Sequence, residues 1–114
     1  MNERKELRKI TAVRFGHGGY QDCQIGLSLT FGGEGWSVGT FISGHWDPCL
    51  MKHSEHCKWT EAERTAMQAD LVIKISELLR DAKVDDVTKL LNIPVELTFE
   101  FTTLKDWRIL KEVL

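Results

Sequence analysis

The strongest constraint on the fold is an alternation of apolar and polar residues between Cys23 and Phe31. Successive side chains of a β-strand point to opposite faces, so this pattern predicts a strand with one buried face and one solvated face. Such a strand needs neighbours and a cover for its apolar side, so the chain must build a sheet. The alternating apolar set is Cys23, Ile25, Leu27, Leu29 and Phe31.

Weaker alternation predicts further strands at about 9–15, 36–42 and 95–101. The closing segment, LKDWRILKEVL, alternates Trp107, Ile109, Lys111 and Val113, which predicts a final strand after the short connection TTLK. A helix remains an alternative there, because the segment also fits the helical period. Its residues at that spacing are Leu104, Trp107, Leu110 and Leu114.

One long helix is predicted between the third and fourth strands. Thr60 is the candidate N-cap and Glu63 stands three residues later, which is the capping-box pattern. Apolar residues then recur at helical spacing to about Ala82 and predict a wide stripe that packs on the sheet. The stripe comprises Leu71, Ile75, Leu78 and Ala82, flanked by Val72, Ile73 and Leu79.

The order β-β-β-α-β-β predicts an α+β fold in a single domain, residues 1–114, with an antiparallel sheet and the helix packed on one face. The other face of the sheet is expected to be polar, and it can be solvated or serve as a docking platform. The residues expected on it include Gln24, Ser28, Thr30, Ser37, Ser43, Thr98 and Glu100.

Charge and hydropathy exclude several classes of partner. The 114 residues carry a net charge of −2 with no polybasic block, which argues against nucleic acid. The first nine residues are locally basic, a pattern typical of a solvated tail or a strand edge. No apolar run is long enough to span a bilayer, and MNERKELRK has no apolar signal region. We therefore expect no membrane partner and a cytoplasmic chain with reduced cysteines.

The stretch HWDPCLMKHSEHC concentrates potential metal ligands. Zinc favours cysteine and histidine in tetrahedral sets, often from short-spaced pairs, but this spacing matches no standard finger. A surface loop is the simpler interpretation, structural zinc is the first alternative, and a metal- or cysteine-dependent hydrolase is the second. The candidate ligands are His45, Cys49, His53, His56 and Cys57.

Four other residues are candidates for contact with a partner. Tyr20 and Gln21 belong to GHGGYQD, which lacks the phosphate-binding glycine patterns and predicts a loop with structural glycines. Trp46 and Trp59 flank the ligand-rich loop, where they can pin its ends or anchor a partner.

The segments IGLSLTFGGEGWSVGTF, KWTEAER, LLNIPVELTFEF and LKDWRILKEVL together resemble a group of small uncharacterised phage- and prophage-encoded α+β proteins. The resemblance covers most of residues 23–114 and rests on a general pattern without a catalytic motif. It implies a phage or prophage origin, hence the cytoplasm of a bacterial host cell, and it implies no activity.

These observations favour a non-enzymatic protein that binds an unknown protein partner, without a cofactor. It would act through the sheet face, a sheet edge or the loop at residues 45–57. Edge strands of a small open sheet need covering, so a homodimer is one arrangement to test. A zinc-stabilised binding module is the alternative.

Zinc binding by the loop is tested by metal analysis of the purified chain and by its Tm with and without a chelator. If the loop binds structural zinc, about one equivalent of zinc should copurify with the chain and a chelator should lower its Tm, because a metal that binds only the folded state stabilises it. If the segment is a plain surface loop, no zinc should copurify and the chelator should leave the Tm unchanged. That result would contradict the zinc-module hypothesis.

Overall fold

The chain folds into an antiparallel sheet with one long helix against its apolar face. The computed structural model describes residues 3–18, 24–33, 35–46 and 60–114. The strands and the helix in these ranges are β1 (Glu3–Gly18), β2 (Gln24–Gly33), β3 (Trp36–Trp46), α1 (Glu61–Ala82), β4 (Pro94–Glu100) and β5 (Thr103–Ile109). Two short 3₁₀ helices follow α1 and β5, at Val87–Leu90 and Lys111–Val113.

The strand order in the sheet is β3-β2-β1-β4-β5, and every neighbouring pair is antiparallel. The predicted α+β class and the order β-β-β-α-β-β are therefore confirmed. The hairpin between β2 and β3 turns at Gly35, whose φ of 81° lies in the left-handed region that glycine adopts without strain.

The sheet is strongly curled. Phe31 on β2 and Trp107 on β5 are separated by two intervening strands, which would place them roughly 14 Å apart in a flat sheet. Their ring centroids are only 4.9 Å apart, so the two sides of the sheet bend towards each other over the apolar face. The helix α1 lies in this concave face and packs mainly against β3, with fewer contacts to β5.

The core lies between the concave face of the sheet and α1. Leu27, Leu29 and Phe31 on β2 are almost fully buried, which confirms the alternation that predicted this strand. The register leaves Ser28 and Thr30 on the opposite, convex face, as expected. The remaining members of the buried cluster are Ile10, Leu78, Ala82, Leu90, Val95, Leu97, Phe99 and Ile109.

Both ends of α1 follow from local hydrogen bonding. The hydroxyl oxygen of Thr60 accepts the N–H of Glu63 at 3.1 Å, so the predicted N-cap is confirmed. The helix ends at Lys83, which is left-handed with φ 59°, and the N–H of Val84 donates to the Leu79 carbonyl at 3.0 Å. No helix within the described ranges is long and apolar enough to cross a bilayer.

Three apolar positions depart from the sequence predictions. Val72 and Ile73 are 66% and 55% exposed, because the buried stripe of α1 is narrower than predicted and is centred on Leu71 and Leu78. Phe101 is 63% exposed at the turn after β4, where its φ of 58° takes it out of the strand alternation.

The first and last strands also differ from their predicted boundaries. The first strand was expected at about 9–15, but β1 begins at Glu3 and ends at Gly18. The final strand is confirmed through Ile109, where the alternation stops, and Val113 lies exposed in a 3₁₀ helix.

Truncation of Leu97 tests the position of the core. Leu97→Ala should lower the free energy of unfolding by about 2–5 kcal/mol, because the side chain is fully buried in the cluster. Leu91→Ala is the matched control, since Leu91 is 47% exposed and its truncation should cost well under about 1 kcal/mol. Denaturant titration measures both values, and equal losses in the two variants would contradict this core.

Candidate functional site

A row of charged residues interrupts the apolar concave face of the sheet. Arg4, Glu6 and Arg8 occupy alternate positions of β1 and are the direct cross-strand partners of Phe99, Leu97 and Val95. Directly paired residues of antiparallel strands project to the same face. The N-terminal half of β1 therefore presents this charged row, Arg4–Glu6–Arg8, on the face that elsewhere forms the core.

The carboxylate of Glu6 is shared by two guanidinium groups. Nε of Arg4 donates to Oε2 of Glu6 at 3.2 Å, and Nη2 of Arg8 donates to Oε1 at 2.6 Å. Glu6 is mostly buried, with 22% of its side chain exposed, so its charge has to be paired. Two positive charges and one negative charge leave the row with a net charge of +1.

An aromatic ring lies against each of the two arginines. The guanidinium carbon of Arg4 lies 4.7 Å from the Phe99 ring centroid, and that of Arg8 lies 4.9 Å from the Trp36 ring centroid. Trp36 and Phe99 meet edge to face at 5.9 Å. These cation–π contacts restrict the orientation of both guanidinium groups.

A cleft of about 390 Å³ opens beside this stack, and we call it the arginine–aromatic cleft. Its lining combines Arg4 and Glu6 of the charged row with aromatic and other side chains, and Arg8 is not part of it. The lining residues are Arg4, Glu6, Trp36, Ser37, Val38, Phe99 and Thr102.

The two arginines differ in how much hydrogen-bonding capacity remains. Arg8 is held tightly: its Nη1 donates to the Leu7 carbonyl at 2.8 Å, and its buried Nε lies against Gly33 without an acceptor. A Cβ on Gly33 would lie 2.7 Å from this Nε, so a larger residue there would displace the Arg8 side chain. Arg4 is 53% exposed, donates through Nη1 to the Phe101 carbonyl, and keeps Nη2 without a partner among the described residues. Arg4 is therefore the donor that a ligand can reach.

The convex face carries a different set of charged residues, which pair with one another. Arg108 donates to Glu96 at 3.1 Å and, through both Nη atoms, to Glu112 at 3.0 and 2.8 Å. Lys105 reaches Glu100 at 2.8 Å and Glu3 at 3.1 Å. Four carboxylates share these two basic groups, so this part of the surface offers no excess positive charge to an acidic ligand.

A second cavity of about 620 Å³ lies between α1 and β5. Its apolar floor includes Leu78 and Trp107, and its rim holds three basic and three acidic side chains. Two of the basic groups, Lys74 and Lys111, have acidic neighbours at 3.0 and 3.7 Å. The balanced rim gives this groove no preference for a ligand of either sign.

Most residues proposed from sequence lie outside the described ranges. This applies to the partner-contact candidates Tyr20, Gln21 and Trp59 and to four metal-ligand candidates: Cys49, His53, His56 and Cys57. The backbones of His45 and Trp46 lie in β3, opposite Ile25 and Gln24 of β2. Within residues 3–18, 24–33, 35–46 and 60–114, no three His, Cys, Asp or Glu side chains are grouped as a metal site requires. Zinc binding by the loop stays a prediction.

Sequence reasoning noted the basic N-terminal residues but interpreted them as a tail or an edge. The signal for the cleft was present in the alternation of sign and spacing at Arg4, Glu6 and Arg8. Charges at every second position share one face of a strand, so they can pair along it. The aromatic partners come from distant segments, and only the fold brings them together.

Comparison of the chain with protein-family models, with curated proteins and with solved structures found no match.

The Arg108–Glu112 pair predicts an acidic shift that NMR can measure. The bidentate hydrogen bonds from Arg108 lower the pKa of Glu112 from 4.5 to about 2. A lowered pKa in the folded state contributes stability above pH 4.5, and this contribution is lost as the pH falls towards 2. Arg108→Gln should return the pKa of Glu112 towards its ordinary value. The control Lys105→Gln should leave it unchanged, and a Glu112 that titrates near 4.5 in the unaltered protein would contradict the pair.

Proposed function

We propose that this chain is a non-enzymatic binding protein that docks an acidic segment of a partner protein in the arginine–aromatic cleft. The observation that carries the proposal is the unequal pairing within the charged row. One carboxylate, Glu6, serves two arginines, and Nη2 of Arg4 has no partner among the described residues and lies at an open cleft. A carboxylate on a partner would supply the missing negative charge.

The chemistry of the lining supports binding by charge and stacking. A guanidinium group presents several N–H donors in a planar fork that matches a carboxylate, and such charge-assisted hydrogen bonds are short and strong. Arg4 is already oriented by Phe99 and by the Phe101 carbonyl. Less side-chain entropy is therefore lost when a ligand binds than with a freely moving arginine.

The amount of excess charge favours a protein partner over nucleic acid. Binding to a phosphate backbone generally depends on several lysines and arginines along one surface. The charged row has a single excess positive charge, and the whole chain has a net charge of −2. One carboxylate within a short acidic segment fits that charge.

The setting of this function is part of the proposal. The resemblance in IGLSLTFGGEGWSVGTF and LKDWRILKEVL supports a protein of phage type, which would act in the cytoplasm of the bacterial host. The partner would then be a host or phage protein.

A pull-down from bacterial lysate tests the cleft. The unaltered protein should capture a defined partner, and Arg4→Gln should reduce capture roughly tenfold, because a charge-assisted hydrogen bond contributes about 1.5–3 kcal/mol. Arg80→Gln is the matched control: Arg80 is an exposed arginine on α1, and its loss should leave capture unchanged.

Melting of each variant establishes that it is folded before capture is compared. The proposal is wrong if Arg4→Gln, folded as the unaltered protein is, captures the same proteins in the same amounts. Mass spectrometry of the captured proteins identifies those whose capture depends on Arg4.

A further inference from the structure

β1 is longer than either of its neighbours. It runs from Glu3 to Gly18, but β4 pairs with residues 3–9 and β2 pairs with residues 9–18. Each half of β1 is therefore paired on one side only. Among the described residues, no strand lies on the β2 side of residues 3–8.

Two backbone hydrogen bonds fix which peptide groups face that open side. The N–H of Ile10 donates to the Ile93 carbonyl at 3.0 Å, so Ile10 faces β4. Peptide groups alternate in direction along a strand, so Arg4, Glu6 and Arg8 also direct theirs to β4. The Leu110 N–H donates to the Pro94 carbonyl at 3.0 Å, so Pro94 faces β5 and the next residue of β4 faces β1. This agrees with the directions assigned along β1. The peptide groups facing outward belong to Glu3, Lys5 and Leu7.

This edge is less protected than the edge at β5. On β5, the carboxylate of Asp106 accepts the N–H of Trp107 at 2.8 Å, and the register shift at Lys105 interrupts the strand. Side chains and bulges of this kind keep an edge from pairing. On β1, Arg8 holds the Leu7 carbonyl, but the N–H groups of Lys5 and Leu7 have no partner among the described residues.

We propose that the acidic segment binds in extended form and adds to this edge of β1 as a sixth strand. The inference rests on the proposed function and specifies the conformation and pattern of the ligand. Alternate side chains of an added strand project to opposite faces of the sheet. Acidic residues at every second position would reach Arg4 at the cleft. The residues between them would lie beside Leu7, which is 63% exposed on the convex face.

Charge distinguishes this occupant from a second copy of the chain. Between Glu3 and Lys9 there are four basic and two acidic residues, so 4 − 2 leaves a net charge of +2. Antiparallel self-pairing centred on Lys5 would place that lysine opposite its own copy, and like charges directly opposite each other destabilise a pair of strands. An acidic strand would instead meet opposite charges.

The probe for this edge is an acetylated and amidated hexapeptide of alternating glutamate and valine. Its control replaces each glutamate with glutamine. NMR of the full chain should show the N–H signals of Lys5 and Leu7 moving downfield on addition of the glutamate peptide. Their exchange with solvent should slow several-fold, because new hydrogen bonds protect them. The glutamine peptide should bind more weakly.

Two substitutions at one position separate the peptide edge from charge. Lys5→Pro removes an outward N–H and leaves the β1–β4 ladder intact, because proline is tolerated where a strand N–H faces solvent. Lys5→Gln keeps this N–H and removes the side-chain charge together with its ion pair to Glu96. If the peptide adds as a strand, the Lys5→Pro variant should bind it several-fold more weakly than the Lys5→Gln variant does. Exchange protection in the unaltered protein decides the question if Lys5→Pro does not fold.

Each remaining outcome has a defined meaning. Equal binding by the two Lys5 variants, or unprotected Lys5 and Leu7 amides at saturating peptide, overturns strand addition. If strand addition fails but Arg4→Gln still reduces capture in the pull-down, the proposed function stands without strand addition. No binding at millimolar peptide also overturns strand addition. A dimer seen by light scattering that Lys5→Pro converts to a monomer would make a second copy the occupant instead.

Discussion

The geometry of the whole sheet depends on how β1 is shared between its two neighbours. A 16-residue strand is paired by β4 along its first half and by β2 along its second. Where the two pairings meet, the register with β2 shifts by one residue at Thr11, as in a β-bulge, and a bulge bends and twists a strand. This bend accounts for the approach of Phe31 to Trp107 across two strands. The concave core and the seat of α1 follow from it.

The same division determines where polar chemistry can enter the concave face. In the centre of the sheet this face is closed by α1 and by the rings of Phe31 and Trp107. Of the strands that the structure describes, only β4 pairs with residues 3–8 of β1, and the hairpin end at Trp36 covers the face incompletely. Charged side chains are tolerated at this margin because they keep partial access to water. The charged row and the open strand edge therefore both follow from the offset between β2 and β4 along β1.

Sequence patterns predicted the elements better than their edges. The alternation around Leu27 and the Thr60 cap are local signals, and both were confirmed. The first six residues of β1 were missed because they are mostly charged, and a strand with charges on both faces has no hydrophobic period to detect. The arginine–aromatic cleft depends on contacts such as that between Arg8 and Trp36, which come from different strands. No local pattern encodes such a contact, although the alternation of charge along β1 was visible.

The charged row is not explained by stability alone. Its three side chains keep partial contact with water, and ion pairs of this kind contribute little to stability. Apolar residues at Arg4, Glu6 and Arg8 would lie against Val95, Leu97 and Phe99 and would extend the dry core to the end of the sheet. They would also create a flat apolar edge on β1, which is the kind of edge that aggregates. Charges at these positions oppose such aggregation, and under the proposed strand addition they would favour pairing with an acidic strand over pairing of the chain with itself.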